Sequence, residues 1–472
     1  MTDLLHRTLT SLLDDMDRGE VSSEELCRAT LARIDETRET LNAFVSLRDP
    51  DEISADARAS DERRKRGEAR LLEGLPLGVK DLEDVAGLVT SHGSVPFKDH
   101  VAERDSAQVE RLRAAGAIVV GKTNTPEFGY TAITKNLLFG ESRNPWNLER
   151  TPGGSSGGSA AAIAGGVVPL ATASDGGGSV RIPASVTGCF GLKGSFGRVP
   201  HGPKPFWIMD DTAVDGPLTR SVRDAALHLD AVVGAHPDDP SSLPHPGLLY
   251  REAIEEPFEQ PLRFAFSPDL GYAVVQSDVE KSVREAARVF EGLGHSVAEI
   301  EGGPPEPGPD WLFSGAWEML AELSHLLPER EEEFGRSFIH GVKRGANMNA
   351  ERWGRMRRRR SELNDWCRDV FDDYDFLVTP TVPYDPPPAR GPFAAETEGR
   401  RQPAANFGSF TMPFNMSWHP AATVRAGLSN AGLPVGLQIV GPRHRDDLVL
   451  RAARLFERET DCFATWPEAA AS

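Results

Sequence analysis

Two glycine- and serine-rich runs stand close together in this chain. The first is Thr151-Pro-Gly-Gly-Ser-Ser-Gly-Gly-Ser159 and the second Ser174-Asp-Gly-Gly-Gly-Ser-Val-Arg-Ile-Pro183, with small apolar residues between them. Freezing a glycine backbone loses more conformational freedom than freezing any other residue. Glycine at this density therefore marks main chain that must turn sharply or approach something closely. A Gly-Ser run by itself is more often a flexible linker. Linkers, however, are not followed by an alanine-rich helix and an Asp-Gly-Gly-Gly-Ser-x-Arg loop, so this segment reads as folded core. A phosphate cradle is excluded on other grounds, because no Gly-Lys-Ser/Thr ending is present.

On either side the hydrophobic pattern alternates between two periods. Leu12, Leu13 and Met16 share a helix face, and Ser22-Ser23-Glu24-Glu25 offers a capping box before Leu26, Ala29, Leu31 and Ile34. Residues 51–70 continue as a charged helix. Residues 75–81 and 117–122 are apolar runs of the kind buried on both faces of a sheet, the first ending at Lys80, with helical spacing over 106–115 between them. Further strands are predicted over 167–173, 263–266, 295–300, 376–380 and 433–440, and helices over 159–166, 221–234, 279–293, 311–371 and 446–458. The pattern predicts an α/β fold with a large central, mostly mixed β-sheet flanked by helices. Boundaries are placed at 1–70 for an N-terminal helical segment, 71–302 for a catalytic core, 303–372 for a helical lobe and 373–472 for a return to the core. The whole is expected to form one large domain.

The balance of 52 basic against 71 acidic residues gives a net charge of −19, which argues against nucleic acid or anionic lipid as a partner. The one basic run, Arg357 to Arg360, reads as a solvated helix face. Cys27, Cys189, Cys367 and Cys462 lie far apart with no paired spacing, so reduced core thiols are expected and no metal site. The N-terminus lacks the apolar stretch of a secretory signal, and the most apolar run, 160–173, is glycine-broken and too short to span a bilayer. A cytoplasmic protein without metal or cofactor, and without a nucleic-acid or membrane partner, is expected.

A serine hydroxyl is a weak nucleophile at neutral pH; it needs a base in contact, and its oxyanion product needs preorganised donors. Ser179 follows three glycines whose N–H groups are free to converge, so Ser179 is the expected nucleophile and Gly176, Gly177 and Gly178, with the Ser179 N–H, the expected oxyanion hole. None of the histidines lies within these motifs. Lys80, at the end of an apolar strand, is expected to be desolvated and so to offer a neutral amine as base. Ser155 is placed between the two as a proton shuttle, and its peptide geometry is not decided by sequence. The loop Phe206-Trp207-Ile208 is the expected substrate contact, with Trp311, Trp317, Phe407 and Trp418 as further aromatic candidates. These tilt the expected substrate toward an aryl or hydrophobic amide, with ester or carbamate (urethane) cleavage as a side activity.

The runs just quoted closely resemble the amidase signature family. So do Gly74-Leu-Pro76 through Lys80-Asp81, Gly121-Lys-Thr-Asn-Thr-Pro-Glu-Phe128, Arg143-Asn-Pro-Trp146, Val378-Thr-Pro-Thr381 and Gly432-Leu-Pro-Val-Gly-Leu-Gln438, which together span nearly the full chain. The resemblance implies an amide hydrolase with a Ser-cisSer-Lys triad at Ser179, Ser155 and Lys80. It also implies a buried Asp175–Arg181 pair, with Ser156 and Thr172 as supporting hydrogen bonders. A small-molecule amide substrate follows from it, as does a homodimer. A second implication is the A subunit of a glutamyl-tRNA amidotransferase, acting as a glutaminase within a complex. Two departures stand out: Gly194-Ser195, where the family commonly has Pro-Thr, is expected to loosen a loop, and Arg425 to bring a cation near the core.

Overall fold

The apolar runs become strands of a single sheet. The computed structural model describes residues 2–203, 209, 211–403 and 405–467. Among these, eleven strands form the sheet: β1 (Phe44–Leu47), β2 (Pro76–Lys80), β3 (Ile118–Thr123), β4 (Leu170–Asp175), β5 (Phe190–Lys193), β6 (Val214–Thr219), β7 (Arg263–Phe266), β8 (Ser296–Glu299), β9 (Phe376–Pro380), β10 (Ala421–Leu428) and β11 (Pro434–Val440). Their spatial order is β1-β3-β2-β4-β6-β5-β10-β11-β9-β7-β8. β2 pairs in parallel with β3 and β4, β7 in parallel with β8 and β9, and the remaining neighbours are antiparallel. The sheet is therefore mixed. Every residue of β2 and β3 is buried, which is why both read as continuous apolar runs rather than alternating ones.

Helices cover the sheet where their periodicity places them. Helix Ser23–Leu41 opens on the Ser22/Glu25 capping box, and helices Pro50–Lys65, Val222–Val232, Ser277–Gly292 and Asp446–Thr460 follow the predicted segments closely. Helices Gly308–Leu323, Arg336–Lys343 and Ala350–Asp373 occupy the long helical stretch. Met319, Leu323, Phe334, Phe338, Ile339 and Val342 there pack with Phe128 into a small apolar cluster of their own. Among the described residues, no helix is long and apolar enough to cross a membrane.

The alanine-rich stretch forms helix Gly157–Ala164, and every one of its residues is buried. Small side chains let it sit directly on the ends of the β2 and β3 strands. At Gly158 the helix meets main chain: a Cβ there would stand 2.3 Å from Asn124 N and 2.7 Å from Ala43 O. The second expected departure is visible here as well. Arg425 donates to Cys462 O and Thr465 O and lies over Trp146 and Trp466, anchoring the C-terminal segment on the edge of the core. The first departure is corrected. Gly194-Ser195 does not loosen its loop, because Ser195 is buried, donates its N–H to Asp446 Oδ1 at 2.6 Å and accepts from His444 N at 2.8 Å.

Since both clashing atoms at Gly158 belong to backbone, a methyl group is not relieved by a rotamer change. Gly158→Ala is expected to lower unfolding free energy by about 2 kcal/mol or more, read as a lower urea midpoint at unchanged slope.

Candidate active site

The site begins at the end of β2. Lys80 has no exposed surface; its N–H donates to Thr172 Oγ1 at 3.0 Å, and its Nζ lies 2.8 Å from Ser155 Oγ, 2.9 Å from Ser174 Oγ and 3.3 Å from Ser174 O. The adjacent carboxylate, Asp81, is its natural candidate for an ion pair. Asp81 is instead engaged by Ser91 and by Lys122 of β3, whose Nζ is 3.4 Å away. Among the described residues, Lys80 Nζ is thus left with hydroxyl and carbonyl oxygens alone. Burial pushes its pKa down to about 7, against the upward pull of Glu83, Asp215 and Asp175.

The two glycine-serine runs meet next to this amine. The Gly154–Ser155 peptide is cis, Thr125 Oγ1 donates to Ser155 O at 3.0 Å, and Ser156 N donates to Ser179 O at 3.3 Å, tying one run to the other. Ser156 Oγ also donates to Ser174 O at 3.3 Å. Ser155 and Ser179 line one cleft together with Gly176 and Gly177. Ser179 is only half-buried, and among the described residues its hydroxyl makes no hydrogen bond, so it faces the cleft unengaged.

Asp175 and Arg181 flank the loop that carries Ser179 and are both fully buried. The pair is bidentate, with Arg181 Nη2 2.9 Å from Asp175 Oδ1 and Nε 3.0 Å from Oδ2. Arg181 further donates to Gln438 Oε1 at 2.8 Å and Asn415 Oδ1 at 2.6 Å, while Asn415 Nδ2 returns to Asp175 O at 2.7 Å. Burial alone raises an aspartate, yet here the Arg181 charge and its hydrogen bonds outweigh it and hold Asp175 well below the usual carboxylate range.

The same loop is oriented from the carbonyl side. Trp311 Nε1 donates to Gly176 O and Thr411 Oγ1 to Gly177 O, each at 2.7 Å. Because C=O and N–H point oppositely across a planar peptide, holding Gly176 O turns the Gly177 N–H away from Trp311. Only glycine fits there, since a Cβ on Gly177 would stand 2.4 Å from the indole. Gly178 departs from expectation. Its N–H donates to Asp175 Oδ1 at 2.6 Å and it does not line the cleft, so the expected oxyanion donors narrow to Gly176, Gly177 and the Ser179 N–H.

Phe206, Trp207 and Ile208 lie outside the described residues. Of the other aromatic candidates, Trp311 lines the cleft. The rest do not: Phe407 packs on Tyr384 and Phe393, Trp418 on Phe196, and Trp317 on Trp353. Sequence reasoning did not single out Ser174, Thr411, Glu83, His201 or Asp215. All of these but Thr411 line the cleft, with His201 Nδ1 2.9 Å from Asp215 Oδ2. Burial and the neighbouring Asp215 charge push the Glu83 carboxyl up, against weaker pulls from Thr172, Gln108 and Lys80.

An apolar, doubly buried strand ending on a lysine, two serine hydroxyls at one cleft and a glycine loop clamped by a buried ion pair define a hydrolase-type serine site. The chain belongs to the amidase signature family: the amidase family profile matches residues 25–450. It is 36% identical over 464 residues to an acylamidase of Rhodococcus erythropolis, covering 95% of this chain and 94% of that protein. To the A subunit of the glutamyl-tRNA(Gln) amidotransferase from Roseiflexus sp. (strain RS-1) it is 34% identical, covering 98% and 99% respectively. In structure it matches a bacterial aryl acylamidase of the amidase signature enzymes with a TM-score of 0.91 at 29% identity, over 99% of this chain and 98% of that one.

Removing Arg181 leaves Asp175 as an unpaired interior charge. Arg181→Met is expected to destabilise the fold by about 3–5 kcal/mol, and Asp175→Asn in the same chain to recover part of that loss, both read by urea denaturation.

Proposed function

We propose that the protein is a serine-type amidase that cleaves a carboxylic amide C–N bond through an acyl-enzyme. The observation that carries this reading is the buried Lys80 amine 2.8 Å from Ser155 Oγ, at the cleft into which Ser179 opens. In this reading neutral Lys80 takes the proton of Ser155 as Ser155 takes that of Ser179. Ser179 Oγ attacks the carbonyl, and the N–H groups of Gly176, Gly177 and Ser179 stabilise the oxyanion. Ser155 then donates a proton to the departing amine, and water repeats the sequence on the acyl-enzyme. Ser156, Asp175 and Arg181 hold the two runs in place without touching substrate.

The substrate class we assign is a small hydrophobic or aryl amide, with ester and carbamate cleavage as side reactions. Leu82, Phe128, Tyr130, Met209, Trp311 and Met319 give the cleft an apolar wall in support, as does the likeness to acylamidases. The enzyme is assigned to the cytoplasm, acting alone or as a homodimer. A second reading, a glutaminase that works in a complex, is favoured by the likeness to the amidotransferase A subunit. Glutamine hydrolysis that appears only with a co-purified partner and tRNA would establish it, whereas turnover of small amides by the isolated chain supports the amidase.

Because the base must be uncharged, acylation is lost as pH falls through the Lys80 pKa and is fully present above it. The kcat/KM profile is expected to rise through an apparent pKa of about 7, falling about tenfold per pH unit below it. Lys80→Ala and Ser179→Ala are each expected to lower kcat by about a thousandfold or more, with unchanged circular dichroism. On a panel of 4-nitroanilides and primary aliphatic amides, the anilides of hydrophobic acids are expected to turn over faster. Faster turnover of the primary aliphatic amides would reverse the assigned substrate class.

A further inference from the structure

The cleft has a polar end that the hydrolytic steps leave unused. Glu83 and Asp215 line it with the two serines, and both residues are more than nine-tenths buried. Each carboxylate is held by one oxygen. Gln108 Nε2 donates to Glu83 Oε2 at 2.8 Å, and His201 Nδ1 lies 2.9 Å from Asp215 Oδ2. Among the described residues, the other oxygens, Glu83 Oε1 and Asp215 Oδ1, are buried and make no hydrogen bond. Asp84 Oδ1 and Ser106 Oγ, on two more residues of the same cleft, are likewise buried and unpartnered among the described residues.

Among the described residues, the neighbouring lysines Lys80 and Lys122 do not fill these positions. Lys122 Nζ is engaged by Glu83 O at 2.6 Å, Thr90 Oγ1 at 2.9 Å and Asp81 at 3.4 Å, and Lys80 Nζ by Ser155 and Ser174. An acceptor buried without a donor carries its full desolvation penalty, and two carboxylates in one cleft also repel. Gln108 and His201 fix the carboxylates in place, so the unfilled oxygens are preorganised. A cationic N–H donor relieves both penalties at once.

The geometry points to a substrate that carries a protonated amino group, which Glu83 Oε1 and Asp215 Oδ1 receive while the apolar wall covers the hydrocarbon leading to the scissile carbonyl. This assignment rests on the amidase reading of the same cleft and narrows its substrate to amino-bearing amides. Glu83 and Asp215 are then specificity residues that bind the far end of the substrate. Neither takes part in proton transfer.

The test uses the full chain and three 4-nitroanilides of equal acyl length, five carbons, ending in methyl, amino or carboxylate. Wild-type kcat/KM is expected to favour the amino compound over the methyl one by about tenfold or more, mainly through KM, and to be lowest for the carboxylate. In Glu83→Gln/Asp215→Asn that ratio is expected to fall to near one, with turnover of the methyl compound in the same variant reporting that fold and triad are intact. A wild-type ratio near one, or a ratio that survives in the double variant, overturns the proposal. If neither the anilides nor the primary aliphatic amides are hydrolysed, the amidase reading fails, and the cation site is judged by thermal stabilisation alone. n-Pentylammonium is then expected to raise the melting temperature of the wild type more than n-pentanol does, and to lose that advantage in the double variant. Equal shifts from both compounds reject the site.

Discussion

The site turns on taking the Lys80 ammonium out of water. Desolvation disfavours the charged form of an amine, and at full burial this outweighs the pull of carboxylates that do not touch it. The sheet creates that condition. β2 is buried along its whole length between β3 and β4, so a lysine at its C-terminal end projects into protein. Equally important is what happens to Asp81. An aspartate beside a lysine ordinarily pairs with it, but the parallel register of β2 with β3 brings Lys122 within reach of Asp81 and frees Lys80 for the two serine-rich runs.

The Asp175–Arg181 pair performs a different task. A buried ion pair adds little net stability, since desolvating both charges offsets their attraction. Its contribution is geometric. Asp175 accepts from the Gly178 and Arg181 sides of the loop that carries Ser179, and Arg181 reaches Asn415 and Gln438 in the C-terminal part of the chain. With Trp311 and Thr411 holding the carbonyls of Gly176 and Gly177, the loop is fixed by residues from four separate stretches of sequence. A loop built from consecutive glycines needs such clamping, because glycine supplies no rigidity itself.

Much of this was legible in the chain alone, and the reason differs from element to element. β2, β3, β7, β9 and β11 are apolar runs buried on both faces, so composition and length identify them. β6 was not legible: its Val-Asp-Gly-Pro-Leu-Thr reads as a turn, and it is a strand only because β4 and β5 flank it. β1 was hidden in a region with helical spacing, set off by Asn42 in the left-handed conformation at the end of helix Ser23–Leu41. Lys80, Ser155 and Ser179 stood out because their chemistry is tied to local sequence. Glu83, His201 and Asp215 carry no such local signature, and only the folding of distant segments around one cleft brings Glu83 to the other two. The role expected of Gly178 failed for a related reason, since an N–H group within a glycine run cannot be assigned a direction before its neighbours' partners are known.

The protonation state of a single amine is the most direct measure of this arrangement. Lysine labelled with carbon-13 at Cε, compared with a Lys80→Met protein to assign the resonance, reports it by chemical shift across pH. Lys80 is expected to titrate near pH 7, well apart from the surface lysines. A Lys80 resonance that stays in its charged position up to about pH 10, as an ordinary lysine does, would contradict a neutral base at the centre of the site.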